Sequence, residues 1–304
     1  MTFKEKIKYV IENPKYLLLH FLLKTARIYS DAWFLKTMFK LKLGYKLDLN
    51  NPQTYNAKLQ WLKLYDRKKE YTTMVDKVEA KKYVSDIIGE EYIIPTLGVY
   101  DNVEDIDFDK LPQQFVLKCT HDSGGIVVCR DKTKLIINNA KKKLRKGIGH
   151  SYYYQNREWP YLNVMPRIIA EQYMEDKETG DLRDYKFFCF NGEVKALFIA
   201  SDRFTAGEET KFDFFDADFN HLPFTNGHPN ANTLPKKPIQ FELMKELAAK
   251  LSKNIPQVRI DFYEVNGKVY FGEITFFHWS GMKSFEPIEW DYTFGRWITL
   301  PNLA

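Results

Sequence analysis

Cysteine is scarce: Cys119, Cys129 and Cys189 are the three among 304 residues, odd in number and far apart in apolar settings. They build neither a disulfide framework nor a CxxC metal knuckle, so a reducing, cytoplasmic compartment is expected. Long apolar runs are missing too. The most apolar early stretch, Tyr16 to Leu23, is interrupted by His20 and flanked by Lys15 and Lys24, which excludes a spanning segment and a secretory signal there. The six histidines show no HExxH spacing, no Ser-His-Asp set can be argued from order alone, and GxxxxGK[ST] is absent. Neither internal repeats nor low-complexity segments occur. His121 and His278 stand nearest to candidate chemistry, although an ordinary polar or packing role fits each.

Aromatics, by contrast, are abundant: 23 Phe, 19 Tyr and 6 Trp. A chain without a packed core does not carry so many, so disorder is excluded, and the length allows one large or two medium domains. The charge is uneven. Residues 1–50 hold ten Lys/Arg against four Asp/Glu, a local +6 that exceeds the whole chain's +5. Such an arm is either a helical extension with a solvated lysine face or a basic amphipathic surface for an anionic membrane. Elsewhere acids balance bases, which argues against direct nucleic-acid binding.

Apolar spacing predicts two or three helices over 3–46, broken near Asn13-Pro14 and Gly44, then a packing helix over 54–65 with Tyr55, Leu59, Leu62 and Tyr65 on one face and Trp61 beside them. Asp76 and Glu79 read as a capping box, Gly89 as the stop of the helix between, and Val84, Ile87 and Ile88 as its inward face. A proline-interrupted strand follows at 93–100. From 113 to 201 strands dominate, with one basic helix near 138–147. Asn191-Gly192 and Asn266-Gly267 mark hairpins, with an amphipathic helix at 241–251 between them. The class is α+β with antiparallel hairpins.

Two constellations carry chemistry. Phe115 to Val128 is a strand bearing Lys118, a polar loop with Ser123, Gly124 and Gly125, and a second strand. Such a loop can close over phosphates, or it is a plain glycine hairpin. Arg259-Ile260-Asp261 and Glu273-Ile274-Thr275 lie on partner strands and could hold a hard cation such as Mg²⁺, or form an ion pair on a solvated face. A two-residue turn at Asn266-Gly267 would put Asp261 and Glu273 on opposite faces, whereas a three-residue loop with a G1 bulge would put them on one. The three-residue loop is the expectation. A weaker competing motif is Asp216-Ala217-Asp218, which resembles the metal pair of a metal-dependent glycosyltransferase.

In order, these pieces resemble the ATP-grasp superfamily, and from about residue 50 its teichuronopeptide-biosynthesis (TupA-like) branch. The telling stretches are Asn51 to Trp61, Val75-Asp76-Lys77, Lys118 to Gly125, Glu171 to Met174, and Phe271 to Phe276. The resemblance implies an ATP-grasp fold, two α+β subdomains clamping a nucleotide, behind an N-terminal helical extension. The segments would be a basic arm (1–70), an α/β segment (71–112), a subdomain with the phosphate loop (113–173) and one with the Mg²⁺ site (174–304). Lys77 and Lys118 would approach the phosphates of ATP, with Ser123, Gly124 and Gly125 in the phosphate loop. Glu171, Gln172, Tyr173 and Met174 would form the adenine hinge, and Asp184 the ribose-binding acid. Asp261 and Glu273 would bind Mg²⁺, with Thr275 where many members have Asn, and Arg259 and Arg203 would hold the transferred phosphate. The implied activity is an ATP-dependent carboxylate–amine ligase acting through an acyl phosphate. Its implied partners are a sugar acid of a surface or capsular polysaccharide and an amino acid as amine.

Overall fold

The computed structural model describes residues 14–121, 124–177, 182–202 and 207–302. Expectations for residues 3–13, Ser123 and Arg203 lie outside them. Helix α1 (Pro14–Lys24) starts on the predicted proline. Helix α2 (Asp31–Leu43) is capped by the Ser30 side chain and ended by Gly44 at φ 86°. In α3 (Tyr55–Tyr65) Tyr55, Leu59, Leu62 and Trp61 are buried, but Tyr65 is exposed. After α4 (Glu70–Val75) comes α5 (Glu79–Ile88), which stops at Gly89. The capping box does not form. Instead Arg167 Nη2 binds both Asp76 Oδ2 and Glu79 Oε1 at 2.9 Å, while Asp76 Oδ1 accepts from the Val78 N–H. On α5 Val84 is buried and Ile88 packs on the core, while Ile87 faces solvent.

The first sheet comprises β1 (Thr96–Tyr100), β2 (Phe115–Cys119), β3 (Ile126–Cys129) and β4 (Ile168–Gln172), in the order β1-β4-β2-β3, every pairing antiparallel. Strand period sends Leu117, Cys119, Ile168 and Ala170 to one face, where they pack with Ala140 and Leu144 of α6 (Ile137–Ile148). Lys118 and Glu171 take the other face. The short helix α7 (Tyr153–Asn156) precedes β4.

The second sheet holds β5 (Asp184–Phe190), β6 (Glu193–Ser201), β7 (Lys211–Asp216), β8 (His221–Leu222), β9 (Val258–Val265) and β10 (Lys268–Thr275), in the order β10-β9-β5-β6-β7-β8, again antiparallel throughout. Asn191 and Gly192 form the expected two-residue turn at φ 51° and 88°. Helix α8 (Phe241–Leu251) covers one face, with Phe241 against Phe187. On the other, Tyr55 and Phe294 pack against Phe188, Phe285 packs on both of them, and α9 (Glu289–Trp297) closes the aromatic core. Asp291 of α9 binds the Asn56 backbone N–H and amide at 2.9 and 2.8 Å, which ties the conspicuous stretch from Asn51 to Trp61 to the C-terminal end.

The β9–β10 hairpin corrects one expectation. Asn266 and Gly267 form a plain two-residue turn at φ 51° and 76°, with Val265 opposite Lys268. The carboxylates nevertheless share a face, because the ladder shifts between Phe271 and Glu273 and sets Glu273 opposite Asp261. Gly272 is the extra residue of a β-bulge. A Cβ there would stand 3.0 Å from the Asp261 carbonyl oxygen and 3.1 Å from the Tyr263 ring, so glycine permits the close approach. Among the described residues no helix is long and apolar enough to cross a membrane.

Candidate functional site

The two sheets meet at a cleft lined by Lys77, Lys81, Lys118 and Glu171 on one side and by Phe271, Gly272, Glu273 and Ile274 on the other. On the first side Glu171 is held by two cations. Its carboxylate lies 2.6 Å from Lys118 Nζ and 2.6 Å from Lys81 Nζ. Burial pushes its pKa up, but Lys118 and Lys81 outweigh burial and hold it at about 2. Lys81 also donates to the Ile94 carbonyl at 2.6 Å and to Thr96 Oγ1 at 3.0 Å. Lys77 and Lys81 both reach the cleft, Lys81 from the first turn of α5. Lys77 sits in the turn before α5, its N–H donating to the Thr120 carbonyl at 3.3 Å.

Across the cleft Arg259 organises the second sheet's polar face. Its Nε and Nη2 donate to Asp261 Oδ1 and Oδ2 at 2.7 and 2.8 Å, and Nη2 also donates to Glu273 Oε1 and Thr275 Oγ1, each at 3.0 Å. Nη1 donates to His278 Nδ1 at 2.9 Å, so the imidazole carries its proton on Nε2 and donates it to Asn226 Oδ1 at 3.0 Å. Burial, with Arg259 and Lys186 nearby, keeps that histidine neutral by holding its pKa well below the ordinary range. Lys186 of β5 pairs with Asp261 and lies 3.6 Å from Asp184 Oδ1. Partial burial pushes the Glu273 pKa up, yet Lys186, Arg259 and Lys77 pull it down to about 2.

The structure thus brings together Arg259, Asp261, Glu273 and Thr275 and, facing them, Lys77, Lys118 and Glu171. It adds Lys81, Lys186 and His278, which sequence reasoning left without roles. Asp184 joins the Lys186 group through the alternation of β5. Gly124 is exposed, while Gly125 is buried against Cys119, whose N–H donates to the Gly125 carbonyl at 2.8 Å. Gln172, Tyr173 and Met174 lead out of β4, and the Tyr173 ring lies 6.0 Å from the Arg130 guanidinium. Asp216 is spent on a turn: Oδ1 accepts from the N–H groups of Asp218 and Asn220 at 2.9 and 2.8 Å.

Asp261 and Glu273 fit a hard cation as oxygen donors that stand opposite each other on paired strands. Asp261 is 1% exposed and Glu273 43%, so one carboxylate is fixed and the other opens onto the cleft. Among the described residues no group of three or more His, Cys, Asp or Glu is arranged to hold a metal. Two carboxylate ligands suit Mg²⁺, which takes its remaining ligands from phosphate and water.

No curated protein matches the chain. Solved structures similar to it include D-alanine–D-alanine ligase from Helicobacter pylori, at 14% identity and a TM-score of 0.43, over 83% of this chain and 70% of that one. N5-carboxyaminoimidazole synthetase from Staphylococcus aureus resembles it at 14% identity and 0.41, over 76% of this chain and 53% of that one. The ATP-bound D-alanine–D-alanine ligase of Bacillus anthracis does so at 16% and 0.40, over 67% and 55%. The chain therefore spans little more than half of the last two, and likenesses at this level add nothing to the assignment. The family comparison does: the model described as TupA-like ATPgrasp matches residues 57–299. The chain belongs to the TupA-like ATP-grasp family.

Proposed function

We propose that this ATP-grasp ligase joins an amino acid to the carboxyl group of a sugar acid during surface-polysaccharide assembly. Membership of the family supports an ATP-dependent carboxylate–amine ligase, and Mg²⁺ is the cation proposed for its site. The observation that carries the site assignment is the pairing across one cleft of Lys118, Lys81 and Glu171 with the Arg259–Asp261–Glu273 cluster. Phosphoryl transfer needs positioning and charge neutralisation more than a nucleophilic side chain, and these groups supply both.

In the proposed reaction a carboxylate oxygen of the sugar acid attacks the γ-phosphorus of ATP. The bond to ADP breaks and an acyl phosphate forms. The amine then attacks the acyl carbon, phosphate leaves, and a proton is lost from nitrogen to give the amide. Lys77 and Lys118 bind phosphate oxygens, with Gly124 and Gly125 in the covering loop. Arg259 is held in orientation by Asp261, Glu273, Thr275 and His278, so its guanidinium offers the transferred phosphate a fixed positive charge and one remaining Nη1 N–H. Mg²⁺, when bound through Asp261 and Glu273, neutralises phosphate charge. The hinge role of Gln172, Tyr173 and Met174 and the ribose role of Asp184 are part of the same reading. So is the division at residues 70, 112 and 173, in which β1 of the second segment serves as an edge strand of the first sheet.

The N-terminal arm completes the proposal as a peripheral contact with the inner membrane face. Leu17, Phe21 and Ile28 are 50, 57 and 75% exposed beside Lys24 and Arg27, which is the composition of an interfacial surface.

A thermal-shift comparison of Mg²⁺–ATP, Mg²⁺–GTP and Mn²⁺–UDP-sugar tests nucleotide choice, with stabilisation by the adenine nucleotide expected. Lys118→Ala, Asp261→Asn and Glu273→Gln should each cut ADP release at least about a hundredfold with the fold intact. Retained turnover in all three ends the reading.

A further inference from the structure

Between β8 and α8 the residues Thr225-Asn226-Gly227 are clamped to the C-terminal part of the chain. Thr225 and Glu286 exchange both backbone hydrogen bonds at 2.9 Å. The Trp279 indole N–H donates to the Asn226 carbonyl at 3.2 Å, and Gly227, at φ 97°, lets the ring approach: a Cβ there would stand 2.8 Å from Trp279 Nε1. Trp279 itself opens a left-handed turn, Trp279 to Gly281, that is pinned from below. Lys63, a buried lysine, donates to the Ser280 carbonyl at 2.7 Å and the Asn156 carbonyl at 2.9 Å. Within this frame the buried Asn226 side chain has one orientation. Its Nδ2 donates to the carbonyls of Lys283 and Ser284 at 3.3 and 2.9 Å. Turned over, the amide would set its oxygen against both, acceptor against acceptor, so Oδ1 faces His278 Nε2 at 3.0 Å.

An acceptor at Nε2 has a consequence on the far side of the ring. It favours the imidazole with its proton on Nε2, which leaves the Nδ1 lone pair bare. Arg259 Nη1 lies 2.9 Å from that lone pair. The other tautomer and the imidazolium both place an N–H there, donor against donor, and would drive the guanidinium away. The ring is buried and flanked by Phe188 and Phe198 at 5.1 and 5.2 Å, so water does not repair such a clash. A carboxylate in place of the amide would accept equally well but would favour the imidazolium, so this position calls for a neutral amide. Arg259 has five N–H groups, and Asp261, Glu273 and Thr275 take up those on Nε and Nη2. The bond to His278 uses one of the two on Nη1 and thereby aims the other.

Resting on the reading that Arg259 binds the transferred phosphate, we propose that Asn226 is a positioning residue of the reaction: its amide fixes the tautomer of His278 and, through it, the one guanidinium N–H left for the γ-phosphate of ATP. Asn226 touches neither nucleotide nor metal in this account. Its effect reaches the phosphate through two hydrogen bonds, and a donor held in place before the phosphate arrives needs no ordering when it does.

The test pairs two readouts on the full chain. Histidine-selective nitrogen NMR, with His278 assigned from its loss in His278→Gln, should show Nε2 protonated and Nδ1 bare in the wild type and a mixture of tautomers in Asn226→Ala. Calorimetric affinities for Mg²⁺–ATP and Mg²⁺–ADP read the γ-phosphate contact. Asn226→Ala should weaken ATP about tenfold and leave ADP within about twofold, and Arg259→Gln, the benchmark, should weaken ATP at least as much. His278→Gln offers one acceptor and one donor, as the neutral ring does, and should keep most of the ATP affinity. That variant and the wild-type spectrum carry the test if Asn226→Ala fails to fold. A wild-type His278 protonated on Nδ1, equal losses for ATP and ADP or no loss at all in Asn226→Ala, or loss of ATP binding in His278→Gln would overturn the proposal. Arg259→Gln with the wild-type affinity for ATP would instead strike the placement of the phosphate at Arg259, so the two failures are separable.

Discussion

At the residue scale Glu171 is the informative side chain, since one carboxylate answers two lysines in a setting that is largely dry. Removing one member of such a group leaves uncompensated charge, so Glu171→Gln should cost about 3 kcal/mol in a denaturation titration. Because its folded pKa of about 2 lies below the ordinary glutamate value, its stabilisation is complete above roughly pH 4.5 and fades as the pH falls towards 2. Wild-type melting temperature should drop over that window, and Glu171→Gln should flatten the part of the slope this residue supplies. An unchanged slope would assign the acid sensitivity elsewhere, to Glu273 first, whose pKa is also about 2.

At the scale of elements the bulge in β10 decides whether the cluster exists. Gly272→Val would drive its Cβ into the Asp261 carbonyl and the Tyr263 ring. The expected result is loss of Mg²⁺-dependent ATP stabilisation, with a melting temperature lowered by only a few degrees; a preserved nucleotide shift would show that the register survives. Much of this level was legible in the sequence. Both Asn-Gly hairpins, the 241–251 helix and the stop at Gly89 follow from local chemistry, and a shared face for Asp261 and Glu273 is expected as well. The route to that shared face was misread, because turn chemistry was asked to supply an offset that a mid-strand glycine supplies. The buried polar set fared worse. Nothing local distinguishes Lys63 on a packing helix from a solvated lysine, since its partners at Asn156 and Ser280 lie about a hundred residues or more away. The same distance hid Arg167, which took Asp76 and Glu79 out of their expected cap.

For the whole molecule, the arm and the cleft make separate demands. If α1 lies on a membrane, Leu17→Glu with Phe21→Glu should abolish sedimentation with vesicles containing anionic lipid while leaving the Mg²⁺–ATP thermal shift unchanged; sedimentation equal to the wild type would remove the membrane from the account. The cleft itself is nearly balanced. Glu171 already offsets one of the three lysines on the first side, and Asp184, Asp261 and Glu273 more than offset Arg259 and Lys186 on the second, which leaves an excess of about one positive charge. An arriving triphosphate therefore meets little long-range pull and must trade places with carboxylates that are seated before it comes. Encounter is then governed by diffusion and shape, and ionic strength acts on how long the nucleotide stays more than on how often it arrives.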